Sequence, residues 1–229
     1  MNFMRHHLVE ITASGRERLF EELLPQQVDS SCDDEFRKLI LEGYNGVFVP
    51  GIVRRYEDWM PEGTFPVGFA SLNRIGGRRL RIPAFIYEAE VKAVYTPYDN
   101  AGKTFELRNN CLQILKEVLS SGGSMGLITG VWGSAGLEIH TGLPFTDDSS
   151  DLDILLKPAP FEALEEFFIK MKNLGKRLNV RIDGEVDLPD IGGVKLAELF
   201  MKTATLLCKN INGVSLIERS VVMKSLTSG

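Results

Sequence analysis

The chain has 229 residues, enough for one large domain or two small ones with cores of their own. A net charge of −5 argues against a nonspecific nucleic-acid binder, whose phosphate contacts would make the whole domain basic. No apolar run approaches the roughly 18 residues that span a bilayer, and residues 1–15 lack the apolar stretch of a secretory signal.

From the start of the chain, the first expected helix covers about residues 34–42, with acids in its first turn and Gly43 closing it. Residues 46–53, 67–72, 80–86 and 90–95 read as short strands, the first broken by Pro50-Gly51. Ile75-Gly76-Gly77 suits a hairpin turn between two of them. Residues 97–102 read as a turn-rich break, which divides the chain into a region 1–99 and a second domain 100–229.

Past the break, Leu107, Cys111, Leu115, Val118 and Leu119 recur at helical spacing, with Gly122-Gly123 as a stop. Residues 125–132 form a buried strand that runs into Gly133-Ser134, which opens a short helix. A second apolar strand, 152–156, carries Asp151 and Asp153 at its start. The helix that follows, 161–178, has Phe161, Leu164, Phe168, Met171, Leu174 and Leu178 as its apolar face. Its acids come early and its bases late, which suits the helix dipole. The strand 179–188 alternates, with Arg181, Asp183, Glu185 and Asp187 on one side and Val180, Ile182 and Val186 on the other. Asn212-Gly213 marks a closing hairpin between 206–209 and 214–218. The three cysteines, Cys32, Cys111 and Cys208, are odd in number and lack CxxC spacing, which fits reduced thiols and a cytoplasmic setting.

Residues two apart on a strand share a face, so Asp151 and Asp153 present two carboxylates side by side. At that separation they repel one another, and divalent cations resolve the conflict. An all-oxygen ligand set beside phosphates suits Mg2+, with Mn2+ as a substitute. Such a site needs a third carboxylate from the next strand, where Asp183 or Glu185 stands on one face. Gly133 lets backbone approach a phosphate, and Ser134 and a helix N-terminus donate to it. An isolated Asp-x-Asp, or an isolated Gly-Ser, says little; the order of elements in which they occur makes the reading.

Gly-Ser at a strand end, followed by Ser150-Asp151-Leu152-Asp153 on the next strand, resembles the polymerase-beta-like nucleotidyltransferase superfamily. The long link between them, which contains Thr141-Gly142, is similar to that of the phosphoribosyl-dephospho-CoA transferases of malonate decarboxylase systems, also called holo-acyl-carrier-protein synthases. Asp183-Gly184-Glu185 and the hairpin from Leu207-Cys208-Lys209 to Val214 look like that family too, as, less densely, do Arg5-His6, Leu8 and Val53-Arg54-Arg55. The chain departs from the family pattern at Leu137-Glu138, where an aromatic and a glutamine are common. It departs again at Phe145, where tyrosine is common, and at His7, which replaces an Asp.

The resemblance implies an α+β fold, a mostly-β N-terminal region for substrate or partner recognition, and a catalytic domain with a small mixed sheet and flanking helices. It implies transfer of a 2'-(5''-triphosphoribosyl)-3'-dephospho-CoA group to a serine of an apo acyl carrier protein, with release of pyrophosphate. Asp151, Asp153 and Asp183, with Glu185 as the reserve for the third, would be the catalytic and metal-binding residues, and Gly133, Ser134, Thr141, Gly142 and Ser150 would bind substrate. Neither nucleic acid nor a membrane is an expected partner. A nucleotidyltransferase with another acceptor, or a non-catalytic binding module on the same fold, are the alternatives. Arg54-Arg55 and Arg74, Arg78, Arg79 and Arg81 could bind phosphates or form a solvated hairpin face. His6, His7 and His140 lack metal-ligand spacing.

Overall fold

The structure, a computed structural model, describes residues 3–23 and 32–226. The fold is α+β. The chain makes two compact units, one of residues 1–96 with 141–144 and the other of residues 97–140 with 145–229.

The first unit holds β1 (Leu8–Ile11), α1 (Ala13–Leu23), α2 (Asp33–Arg37), β2 (Gly51–Val53), β3 (Thr64–Ile75), β4 (Arg78–Tyr87) and β5 (Val91–Tyr95). Its sheet is antiparallel throughout, in the order β4-β3-β2-β1-β5. Gly76 and Gly77 have φ of 56° and 81°, the two successive left-handed positions that a tight hairpin between Ile75 and Arg78 requires. The expected helix at 34–42 starts at Asp33 and widens into a π-turn over Lys38–Glu42. The strand expected over 46–53 shrinks to Gly51–Val53, because Pro50 lacks the N–H that a ladder needs. α1 was not expected. It buries Arg16 instead of an apolar residue, and that guanidinium donates to the carbonyls of Ile40 (3.0 Å) and Val49 (2.7 Å) while lying over the Phe48 ring. Burial lowers its pKa to about 10.

The second unit holds α3 (Pro97–Ala101), α4 (Asn110–Ser124), β6 (Thr129–Trp132), α5 (Gly133–Thr141), β7 (Leu152–Leu156), α6 (Phe161–Leu178), β8 (Ile182–Leu188), β9 (Gly192–Lys195), α7 (Leu196–Leu199), β10 (Thr205–Lys209), β11 (Val214–Glu218) and α8 (Arg219–Ser225). The turn-rich break expected at 97–102 is therefore mostly a short helix, with proline at its first position, where the missing N–H costs nothing. Six strands lie in the order β11-β10-β9-β8-β7-β6. Only β7 and β8 run parallel, and α6 makes the crossover that parallel pairing demands.

Leu152, Ile154, Leu156, Val186, Leu188 and Val194 form one face of this sheet and pack into a core with Leu112, Leu115 and Val118 of α4 and Leu164, Phe167 and Met171 of α6. Each such fully buried side chain contributes roughly 1.5–3 kcal/mol. The centre of the α6 stripe is Phe167, fully buried, and not Phe168, which sits at the stripe's edge and stacks on Phe200 at 5.0 Å. α4 runs through both Gly122 and Gly123 to Ser124, and Asn109 caps it by accepting from the Leu112 N–H at 3.0 Å. No helix among the described residues is long and apolar enough to cross a membrane.

Candidate active site

The opposite face of the second sheet carries charge. The parallel register sets Asp153 of β7 beside Asp183 of β8, and the antiparallel register sets Trp132 of β6 on the other flank of Asp153. A carboxylate therefore projects from each of two adjacent strands at the same level. Asp151 stands just before β7 and is exposed; Asp153 is half-buried. Burial, and after it repulsion from Asp183, Asp151 and Glu185, pushes the Asp153 carboxyl up to about 6, with Arg181 pulling the other way.

Gly133 follows the last residue of β6 and begins α5 with φ of 66°. A Cβ at this position would overlap Oδ2 of Asp153 and come within 3.2 Å of its Cγ. The glycine is thus needed twice, for its backbone conformation and for the closeness of the carboxylate. Ser134 follows, half-buried in the first turn of α5.

Protein cations surround the acids. Arg181 donates to Asp183 at 2.7 Å and lies 3.8 Å from Asp151. Lys195 of β9 lies 3.8 Å from Asp183, and Lys209 of β10 lies 3.8 Å from Glu185. Farther along β8, Asp187 meets Lys157 (3.4 Å) and the Tyr98 hydroxyl (3.4 Å); burial and that carboxylate push the Tyr98 phenol up. Among the described residues, no three Asp, Glu, His or Cys side chains converge into a ready-made metal cluster. Two of the three expected ligands, Asp151 and Asp183, lean on Arg181, whereas no cation pairs with Asp153 among the described residues. A half-buried carboxylate whose pKa is raised by its neighbours, open to a face of hard oxygen donors, fits a magnesium-type cation.

The expected substrate-binding residues divide. Gly133 is brought against Asp153. Ser150 shapes the turn into β7: its hydroxyl accepts from the Asp147 N–H at 2.9 Å and meets the Asp147 carboxylate at 3.2 Å. Thr141 closes α5, with its hydroxyl accepting from the Leu143 N–H at 3.1 Å, and Gly142 has φ of 72°; both belong to the first unit. Of the hairpin arginines, Arg79 is committed to the carbonyl of Ser71 (2.8 Å) and to that of Leu72, while Arg78 and Arg81 are exposed. Arg54 pairs with Glu57. His140 lies 3.2 Å from the Lys103 ammonium.

Sequence reasoning missed the network that carries the loop into β7. Glu138 of α5 is 8% exposed and takes a two-pronged bond from Arg108 (2.5 and 2.8 Å). It also accepts from the Thr146 N–H (2.6 Å) and hydroxyl (2.7 Å). Asn109, the cap of α4, donates to the same hydroxyl at 2.8 Å. Burial opposes ionisation of Glu138, but the bonds from Arg108 and Thr146 outweigh it and hold the carboxyl below its usual range. Behind the loop, the Cys111 thiol, pushed up to about 12 by burial and nearby carboxylates, donates to the Asp151 carbonyl at 3.5 Å. A glutamate at 138 in place of the expected glutamine was the available signal; its partner Arg108 is 30 positions earlier.

Comparison with known proteins bears on this unit directly. The family model for the phosphoribosyl-dephospho-CoA transferase MdcG C-terminal domain matches residues 102–220, a span that includes Gly133, Asp151, Asp153, Asp183, Lys195 and Lys209. The chain is also similar to a phosphoribosyl-dephospho-CoA transferase of Pseudomonas syringae pv. tomato (strain ATCC BAA-871 / DC3000). The two are 29% identical over 177 residues, which cover 73% of this chain and 77% of that protein. No solved structure matches the chain.

Proposed function

Because the chain belongs to the phosphoribosyl-dephospho-CoA transferase family, we propose that it transfers the 2'-(5''-triphosphoribosyl)-3'-dephospho-CoA group to a serine of the apo acyl carrier protein of malonate decarboxylase. The observation that carries this reading is the pairing of Asp153 with Asp183 across β7 and β8, with Gly133 pressed against the first of them. In the reaction the serine Oγ bonds to the α-phosphorus, and the bond from that phosphorus to the oxygen bridging to the β-phosphate breaks. Pyrophosphate leaves with the electron pair, and the hydroxyl proton passes to solvent by way of the carboxylates.

Asp151, Asp153 and Asp183 would hold Mg2+, or Mn2+ in its place. The bound ions supply charge neutralisation on the phosphates and a lowered pKa for the attacking hydroxyl. The register favours Asp183 over Glu185 as the third ligand, since Asp183 stands level with Asp153 while Glu185 lies one step deeper, 5% exposed and beside Lys209. Gly133 and Ser134 open α5, whose first N–H groups would donate to the triphosphate. Ser150 fixes the approach of Asp151.

The test is mass spectrometry of the apo carrier subunit after incubation with this protein, the triphosphoribosyl donor and magnesium. The expected product gains the mass of the donor less pyrophosphate. Asp151→Asn and Asp153→Asn are expected to abolish that gain in folded protein; full transfer by either variant would overturn the reading.

A further inference from the structure

We propose that Lys195 and Lys209 together grip the two phosphates that depart as pyrophosphate. The proposal rests on the reading that this face handles a triphosphate, and it assigns a part of that work to two residues of β9 and β10.

Placement is the first argument. Lys195 stands directly opposite Glu185 in the β8–β9 ladder, and Lys209 stands opposite Gly193, which itself faces Asp187. Side chains at paired positions share a face. Both lysines therefore rise from the face that carries Asp153 and Asp183, on the side of β8 away from Gly133. Gly133 and the head of α5 border the acids from one flank, and the lysines border them from the other.

Attachment is the second. Each ammonium lies 3.8 Å from its carboxylate, within Coulomb range and beyond hydrogen-bonding distance, and the side chains are 38% and 28% exposed. Pairs of this kind contribute little to stability. Arg181 differs: it donates a true hydrogen bond to Asp183 at 2.7 Å. The Lys195 ammonium is poised near Asp183 without being committed to it.

Charge balance is the third. Asp151, Asp153, Asp183 and Glu185 face Arg181, Lys195 and Lys209, so the cluster is close to neutral by itself. Once the aspartates are engaged with divalent cations, the same lysines become surplus positive charge on a half-buried face. A polyanion is the chemical class that balances it, and two ammonium groups on adjacent strands, two residues apart in register, suit the terminal phosphates of a chain of three. Binding of divalent cation and of pyrophosphate should therefore be mutually reinforcing.

The experiment is calorimetric titration of inorganic pyrophosphate, in the presence of Mn2+, into the full chain. A parallel titration uses Mn2+ alone. Lys195→Met is expected to weaken pyrophosphate binding roughly tenfold or more, the loss of one charge-assisted contact. Its Mn2+ affinity should not weaken, since one cation fewer then faces Asp183, and its melting temperature should stay at the wild-type value. Lys195→Arg, which keeps the charge, should stay within about threefold of wild type. Lys209→Met would leave Glu185 buried beside an apolar group, so Lys209 is tested as Lys209→Met/Glu185→Gln, with the same expected loss. Wild-type pyrophosphate affinity in Lys195→Met and in the double variant would overturn the proposal and leave the active-site reading standing. A wild-type protein that binds neither Mn2+ nor pyrophosphate would overturn both.

Discussion

Gly133 and Asp153 meet where there is no space for a single additional carbon: a Cβ on the glycine would overlap the carboxylate that the fold brings to the centre of the acidic face. Gly133→Ala is therefore expected to act in two ways. The left-handed backbone costs an alanine about 1–2 kcal/mol, and relief of the clash must move Asp153. A thermal melt should show the first effect. The transfer assay should show a loss of roughly 10- to 100-fold from the second, the usual cost of displacing a reacting group.

Asp153 should penalise the metal-free fold at neutral pH. Its carboxyl is pushed up to about 6 in the folded protein against 3.8 ordinarily, so above pH 6 it is ionised in both states, and the folded state bears the cost of burying the charge and, after it, the repulsion of its neighbours. As the pH falls from 6 toward 3.8 the folded protein takes up the proton first, and the penalty disappears. Asp153→Asn should thus stabilise the protein in EDTA at pH 7.5 by on the order of 3 kcal/mol, with the gain fading as the pH falls from 6 toward 3.8. A gain independent of pH would mean that the ionised carboxyl is not its source.

The Glu138–Arg108 pair should matter in the opposite sense. Its carboxyl is held low, so its stabilisation is present above the ordinary carboxylate range and is lost as the pH drops through the lowered folded value. Arg108→Ala leaves a carboxylate that is 8% exposed with only Thr146 to satisfy it. A destabilisation of about 2–4 kcal/mol is expected by chemical denaturation. Glu138→Gln, which keeps acceptors for Arg108 and Thr146, should lose less than half of that.

Arg181 competes with any cation for Asp151 and Asp183. Arg181→Met should therefore tighten Mn2+ binding in the absence of substrate, measured by electron paramagnetic resonance. Because the side chain is 63% exposed, screening limits the gain to about threefold or less. Weakened Mn2+ binding would show that Arg181 orients the carboxylates and does not compete for them.

The parts of the fold legible in the sequence are those where one periodicity dominates. Leu152–Leu156 and Phe161–Leu178 coincide with the segments expected from apolar runs and amphipathic spacing, and Asn212-Gly213 turns the hairpin between β10 and β11. α1 was illegible because its inward position at residue 16 is an arginine, satisfied by carbonyls 23, 24 and 33 residues away. β9 was illegible because Gly192-Gly193 at its start carries no strand signal of its own, so its pairing with β8 and β10 alone defines it. In the site, alternation along β8 identified Asp183 and Glu185 as sharing a face. It could not show that Asp183, and not Glu185, stands level with Asp153, since only the register with β7 does that. Nor could it find Lys195 or Arg108, whose relevance comes entirely from partners on other elements.

The parallel union of β7 and β8 also bears on how this chain comes to have a working face at all. Asp153 and Asp183 are 30 residues apart, and the crossover through α6 is what lets their strands lie parallel. Contacts between residues distant in sequence slow folding. The acidic face therefore depends on a non-local closure: β8, and α6 before it in the chain, must both be synthesised before Asp183 can stand beside Asp153.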